Sequence, residues 1–191
     1  TLTFSVMNRI NVIDLDGTLL PYDSVSRWIR HFKRLEGWFS PLRRWSLLYR
    51  FGWMDRSTFI QKCVDHLRQR DDYTDFNREF AGKLVQDISK TTLQQIEQHT
   101  DALTVNILCS ASPDDYVSLV AGHLKWECRA SGYRADGRWQ LLYGTEKLKR
   151  IREDFSPDTY RYHFAIADDA SDLELLGAFE HSVLIRKGDP R

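Results

Sequence analysis

The sequence has no surplus of charge: Lys plus Arg and Asp plus Glu each number 27 in 191 residues, for a formal net charge of zero. Binding nucleic acid through its phosphates calls for a cationic excess, and neither that nor a nucleic-acid fold signature is present. Only three cysteines occur, Cys63, Cys109 and Cys128, far apart in the chain. They form no paired ligand pattern and read as packed thiols in a reducing compartment. No apolar run approaches the roughly 20 residues of a membrane span. The first strand-like run is broken by charge, so no secretory leader is expected and the cytoplasm is the default location. His31, His66, His99, His123, His163 and His181 show no zinc-ligand spacing. Internal repeats and low-complexity tracts are also missing. With 42% hydrophobic and 28% charged residues, what is left is an ordinary globular domain, with room for an insert too small to hold a core of its own.

Strand-like runs stand at residues 10–15, 103–109, 162–167 and 183–185. The first three end in small or acidic polar residues. Helical periodicity follows at about 113–122, 146–154 and 171–179. Strand, helix, strand implies right-handed crossovers, hence a Rossmann-like, mostly parallel α/β sheet flanked by helices on both faces, with the strand-end residues gathered along one edge. Residues 24–99 interrupt this rhythm with helix-like stretches at about 24–36, 41–50, 56–69, 73–87 and 90–99. They read as a helical cap inserted after the first strand, giving a core of residues 1–20 and 100–191 and a cap of 21–99. Residues 126–142, with Gly132 and the Asp136-Gly137 pair, suggest a β-hairpin excursion.

Four short segments carry the chemistry. In Asp14-Leu15-Asp16-Gly17-Thr18-Leu19, two carboxylates two residues apart on a strand face one side. Their repulsion calls for a cation or a shared proton, and a hard, oxygen-seeking ion such as Mg²⁺ would also neutralise a phosphate. A turn with a helix cap is the plain alternative for this segment. Leu108-Cys109-Ser110-Ala111-Ser112 offers a hydroxyl and neighbouring backbone N–H groups for an anion, or a cap for the helix after Pro113; Ser112, directly before Pro113, is the better placed cap, which leaves Ser110 for a ligand. Tyr143-Gly144-Thr145-Glu146-Lys147 sets a lysine at a helix start, with Lys149 and Arg150 as nearby surface cations. Ala167-Asp168-Asp169-Ala170-Ser171-Asp172 closes a hydrophobic strand with acids.

In this order, the four segments resemble those of the haloacid dehalogenase-like hydrolase superfamily, specifically its phosphoserine phosphatase-like branch, across nearly the whole chain. The resemblance implies that Asp14 is the nucleophile and a metal ligand. Asp16 would protonate the leaving oxygen and then activate water, while its backbone carbonyl helps hold Mg²⁺. It assigns phosphate binding to Ser110, with the backbone at Ala111, and charge neutralisation to Lys147. Asp168 becomes a metal ligand, Asp169 orients metal-bound water, and Asp172 fixes the lysine and the metal's surroundings. The segment departs from the family pattern at Ala167, where glycine is usual; alanine is strained there only if φ is positive.

Asp23 matches an acidic position that approaches the substrate in this branch, although glutamate is usual in the serine phosphatases; it also sits where it can cap the next helix. Residues 27–53 are rich in Arg, Trp, Phe and Tyr. Three readings stand: a packed cap with arginines outside, a pocket for a substrate with a second anion or apolar tail, or a surface lying on an anionic membrane through Trp38, Phe39, Leu42, Trp45, Leu48, Tyr49 and the neighbouring arginines. The expected function is a Mg²⁺-dependent phosphomonoester hydrolase working through a phosphoaspartate on a small phosphorylated metabolite or a phospholipid headgroup. A phosphotransferase or mutase of the same fold, or a noncatalytic binding protein, are the alternatives.

Overall fold

The computed structural model describes residues 7–186. At the centre of its sheet lies β1 (Asn8–Ile13), with β2 (Thr104–Pro113) parallel on one side and β5 (Tyr160–Ala167) parallel on the other. β6 (His181–Leu184) continues past β5 and β3 (Glu127–Tyr133) past β2, both parallel. Only β4 (Trp139–Gln140) runs antiparallel, on β3, so the order is β4-β3-β2-β1-β5-β6. Between β1 and β2 come α1 (Ser24–Leu35), α2 (Pro41–Arg50), α3 (Arg56–Leu67), α4 (Tyr73–Gln86) and α5 (Lys90–Glu97). α6 (Asp114–Leu124) follows β2, α7 (Thr145–Asp154) follows β4, and a 3-10 turn (Ala170–Asp172) with α8 (Leu173–Gly177) joins β5 to β6.

Alternating side chains bury both faces of the sheet. Ile10 and Val12 join Ile107, Cys109 and Ala165 under α7 and α8, whose Leu148, Ile151, Leu175 and Leu176 complete that side. Ile13, Leu108, Phe164 and Ile166 face the other side. A register shift between Ile10 and Asn11, opposite His163, lets Tyr162 and Ala165 serve the same face although they are three residues apart. On the second face the buried cluster runs without a break from the sheet through α6 into the inserted helices: Trp28, Phe32, Tyr73 and Phe80 pack with Tyr116 and Val117. Trp28 is the hinge of this packing, its ring 5.9 Å from that of Tyr116 and its indole N–H donating to Asn77 at 2.8 Å.

Three departures from the sequence reading stand out. β2 does not stop near Cys109 but continues to Pro113, and Pro113 itself, with no side-chain bond, precedes α6. Ser112 therefore caps nothing; its hydroxyl donates to Asp16. The expected hairpin of residues 126–142 exists as β3 and β4, but β3 also pairs with β2 as a parallel strand of the main sheet, which alternation alone does not reveal. The helix expected over 171–179 is a 3-10 turn plus one short helix. In the aromatic-rich insert, Trp28 and Leu42 are buried as core, whereas Trp38, Phe39, Phe51 and Trp53 are largely exposed. Among the described residues no helix is long and apolar enough to cross a membrane.

Candidate active site

The C-terminal ends of β1, β2 and β5 meet the N-termini of α3 and α7 around a cavity of about 300 Å³. Asp14, Asp16, Asp23, Ser110, Ala111, Lys147, Asp168, Asp169 and Asp172 all line it, so the residues that the resemblance assigns to the site meet in one place. β1 ends at Ile13, and Asp14 to Leu20 form a tight turn with a bridge between Asp16 and Leu20. Asp14 and Asp16 thus reach the same cavity through that turn rather than by strand alternation. The turn depends on Gly17, at φ +74°: a Cβ there would lie 1.8 Å from Asp168 Oδ2, so glycine is what lets the ends of β1 and β5 touch.

Lys147, 3% exposed, is the buried cation of the site, its ammonium 2.8 Å from Asp14 Oδ1 and 2.7 Å from Asp172 Oδ2. Burial alone would pull its pKa down, but the two carboxylates outweigh it and hold it above the ordinary lysine value. Lys149 and Arg150 pair instead with Glu146 and Asp154 on the helix surface. Thr18 Oγ1 donates to the other oxygen of Asp14 at 3.4 Å. Asp16 is different in kind: one oxygen accepts from the Ser24 N–H at 2.7 Å and the other from the Ser112 hydroxyl. Burial pushes its pKa up to about 6 against the lowering effect of these bonds, so it can hold or release a proton near neutrality.

Ser110 is buried and its Oγ accepts from the Ser112 N–H at 3.1 Å. The carbonyl of Ala111 accepts from Ser131 at 2.8 Å. Asp169 accepts from the Ser171 N–H at 2.7 Å, which caps the 3-10 turn and lowers its pKa. Asp23 caps α1 through the Ser26 N–H at 2.9 Å while still lining the cavity, so the two roles considered for it are compatible. Ala167 lies in β5 and is not at positive φ, a conformation that Lys125 alone adopts among the described non-glycine residues. Alanine is therefore unstrained where the family usually has glycine.

The donor set fits a hard divalent cation. The carboxylates of Asp14, Asp16, Asp168, Asp169 and Asp172 converge here, and only Lys147 and Arg56 among the lining residues carry positive charge. Burial, then the charges of Asp14 and Asp169, pushes Asp168 up to about 6, and Asp172 Oδ1 is buried without a partner. An ion held by oxygen ligands would relieve the crowding that raises Asp168. Asp168 makes no side-chain hydrogen bond among the described residues and Asp14 is held on one oxygen by Lys147 and on the other only by a long bond from Thr18, whereas both Asp16 oxygens are held closely by Ser24 and Ser112, which leaves the Asp16 backbone carbonyl for the ligand role. Sequence reading missed Arg56 and Tyr143. They meet across the cavity from α3 and the turn before α7, the guanidinium 4.9 Å from the ring centre; an arginine at a helix start carries no local signal of this. The histidines also surprise: His163, His181 and Glu180 place ligand atoms within 4.8 Å of one another, with the His99 ring alongside, although Glu180 already receives Arg161. None of them lines the cavity.

A mostly parallel sheet gathers an acidic cluster and one buried lysine at its strand ends, the usual place of an active site in such a fold. The chain belongs to the haloacid dehalogenase-like hydrolases, whose family model matches residues 12–177. No curated protein matches it in sequence. Among solved structures, a protein of unknown function from Bordetella pertussis Tohama I is similar, with a TM-score of 0.75 at 18% identity over 94% of this chain and 90% of that one. A phosphoserine phosphohydrolase-like protein from Francisella tularensis subsp. tularensis SCHU S4 gives 0.54 at 16% identity over 90% and 82%. Phosphoserine phosphatase from T. onnurineus gives 0.52 at 20% over 93% and 84%. These likenesses establish the fold.

Proposed function

We propose that the chain is a Mg²⁺-dependent phosphomonoester hydrolase that passes through a phosphoaspartate on Asp14. The observation that carries this reading is the pairing of Asp14 with buried Lys147 in a cavity that also holds Asp168 and the proton-exchanging Asp16. Asp14 and Asp168, with the Asp16 carbonyl, would hold the ion. Bound there, Mg²⁺ supplies positive charge to the phosphoryl oxygens and to the crowded carboxylates.

The rest is the work of this chain's residues. Asp14 attacks phosphorus through a carboxylate oxygen, and the bond from phosphorus to the ester oxygen breaks. Asp16 gives its proton to that oxygen, so the alcohol leaves neutral. Asp16, now a carboxylate, takes a proton from water as the water oxygen attacks phosphorus; the bond to Asp14 breaks, releasing phosphate and restoring both side chains. Lys147 and the Ser110 hydroxyl neutralise and orient the phosphoryl oxygens. Ser24 and Ser112 position Asp16 for both transfers.

The substrate's remaining part has room to extend. A second cavity of about 370 Å³ shares Asp23 and Arg56 with the first and is walled by Ile29, Tyr49, Phe59 and Ile60 beside Arg30 and Lys33. This suits a small phosphorylated metabolite with a second anionic group, or a phospholipid headgroup. The three cysteines are free, in keeping with a reducing, cytoplasmic setting.

The test is phosphate release from sugar phosphates, phosphoserine, nucleotides and headgroup phosphates, with and without Mg²⁺. Selective, metal-requiring turnover is expected, with Asp14→Asn lowering it by about a thousandfold or more. Absence of turnover across the panel in a folded, metal-binding protein would overturn the reading, as would full activity in Asp14→Asn.

A further inference from the structure

The insert leaves several of its largest apolar side chains in water. Trp38, Phe39 and Trp53 are 82%, 95% and 79% exposed, and Leu47 and Phe51 are more than half exposed. Exposing so many large apolar side chains within 16 residues forgoes the burial that drives folding and marks a contact surface. α2 explains the arrangement. Its inner side is spent on packing: Leu42 is fully buried, Tyr49 stacks on Phe59 at 4.8 Å, and Trp45 meets His66 edge-on at 5.6 Å. Arg44, Leu47 and Phe51 recur on its outer side at helical spacing. Aromatic residues stand at both ends of this roughly 15 Å helix, Trp38 and Phe39 before it, Phe51 and Trp53 after it with rings 6.0 Å apart.

Charge identifies the occupant. Residues 27–56 hold eight Lys or Arg and two acids within a chain of zero net charge; Arg27 pairs with Asp87 and Arg30, Lys33 and Arg56 line the two cavities, which leaves Arg34, Arg43, Arg44 and Arg50 for the outer surface. Surface arginines elsewhere find carboxylates: Arg68 with Asp115, Arg70 with Asp72, Arg134 with Glu153. Arg30, Arg34, Arg44 and Arg50 make no ion pair with any described residue, and Arg43 donates to the carbonyls of Gly37 and Lys33. The local acids are already engaged, Glu36 by Ser40, His66 and Arg70, and Asp55 as the cap of α3. Unpaired guanidinium groups among exposed rings match a bilayer interface, where rings enter the boundary between headgroups and acyl chains while the cations stay at the phosphates. We infer that α2 and its two flanking loops dock this protein onto a bilayer bearing anionic phospholipid. Ser46 and Tyr49, on the inner side of α2, line the second cavity, so the docked face lies one helix away from the route to the active site.

Flotation of the full chain with phosphatidylcholine vesicles, with and without phosphatidylglycerol, tests this. Binding is expected only with phosphatidylglycerol and is expected to weaken as salt rises. Arg44→Gln/Arg50→Gln should lower the partition coefficient about 25-fold, at roughly fivefold per arginine. Trp38→Ser/Phe39→Ser should lower it at least comparably. Neither pair touches the catalytic cavity, so thermal midpoint and hydrolysis of a soluble phosphomonoester should be unchanged. The inference is overturned if the folded protein ignores anionic vesicles at low salt, or if both variants bind as the parent does. It is equally overturned if the chain sediments as an oligomer that Trp38→Ser/Phe39→Ser dissociates, which would make this face a contact between copies. Binding is read without turnover, so this inference and the phosphatase reading fail or stand separately.

Discussion

Lys147 illustrates how one side chain can be essential to a site in two ways. Its ammonium neutralises Asp14 and Asp172, and all three groups are buried. Removing the cation leaves two carboxylates facing each other in a region poor in water. Lys147→Met is expected to destabilise the metal-free protein by about 3–5 kcal/mol, the usual cost of stranding a buried charge. Adding Asp172→Asn should return part of that loss, because one of the stranded charges is then gone. Urea denaturation in the presence of a chelator measures both; equal stability of the single and double variants would contradict this account. The residue types and order of the site were legible because each lies in a short segment at a strand end or helix start, in the order the family shows. Ser112 was misassigned for an equally physical reason: a serine before a proline looks like a helix cap until the strand is seen to run on to Pro113, which turns its hydroxyl toward Asp16.

Among the elements, α1 does most to tie the insert to the sheet. Trp28 touches Phe32, Tyr73 and Tyr116 and donates to buried Asn77, while Ser24 at the start of the same helix holds Asp16 through its N–H and meets Tyr116 through its hydroxyl at 2.8 Å. Trp28→Ala is expected to cost about 3–5 kcal/mol through the cavity it leaves, read as a shift in the urea midpoint. Turnover should fall with it at temperatures where the protein remains folded, since α1 carries the Asp16 contact. Unchanged turnover would mean that the packing of α1 does not govern the position of Asp16. Asp23 caps α1 as its position suggested, and the helices were readable from periodicity. Their packing was not, because an amphipathic stripe says that a face is buried without naming its partner; the parallel pairing of β3 escaped for the same reason.

For the molecule as a whole, the far side of the sheet carries a pH dependence of its own. His99 stacks on Phe164 at 4.1 Å, with His163 and His181 alongside and Glu180 bonded to His163 at 3.3 Å. Burial, then the charges of His163 and His181, lowers its pKa. The unfolded chain, with a histidine pKa of about 6.5, therefore binds a proton before the folded one does. The contribution of His99 to stability should fall as pH drops below about 6.5, since the unfolded state then holds its proton first, while Asp16 and Asp168, raised to about 6 in the folded state, act in the opposite sense. His99→Leu, which keeps the contact with Phe164, should flatten that slope; an unchanged slope would assign the effect elsewhere. By itself the sequence determined the α/β class, the helical insert and the acidic and lysine-bearing segments that the fold brings together, because periodicity and short motifs are properties of residues near one another in the chain. Only the tertiary structure decided that Arg56 and Tyr143 join that site, that three widely spaced histidines meet, and that Trp38, Phe39, Phe51 and Trp53 face outward among unpaired arginines. Burial and charge pairing are set by which surfaces meet, and a linear sequence does not contain that information in readable form.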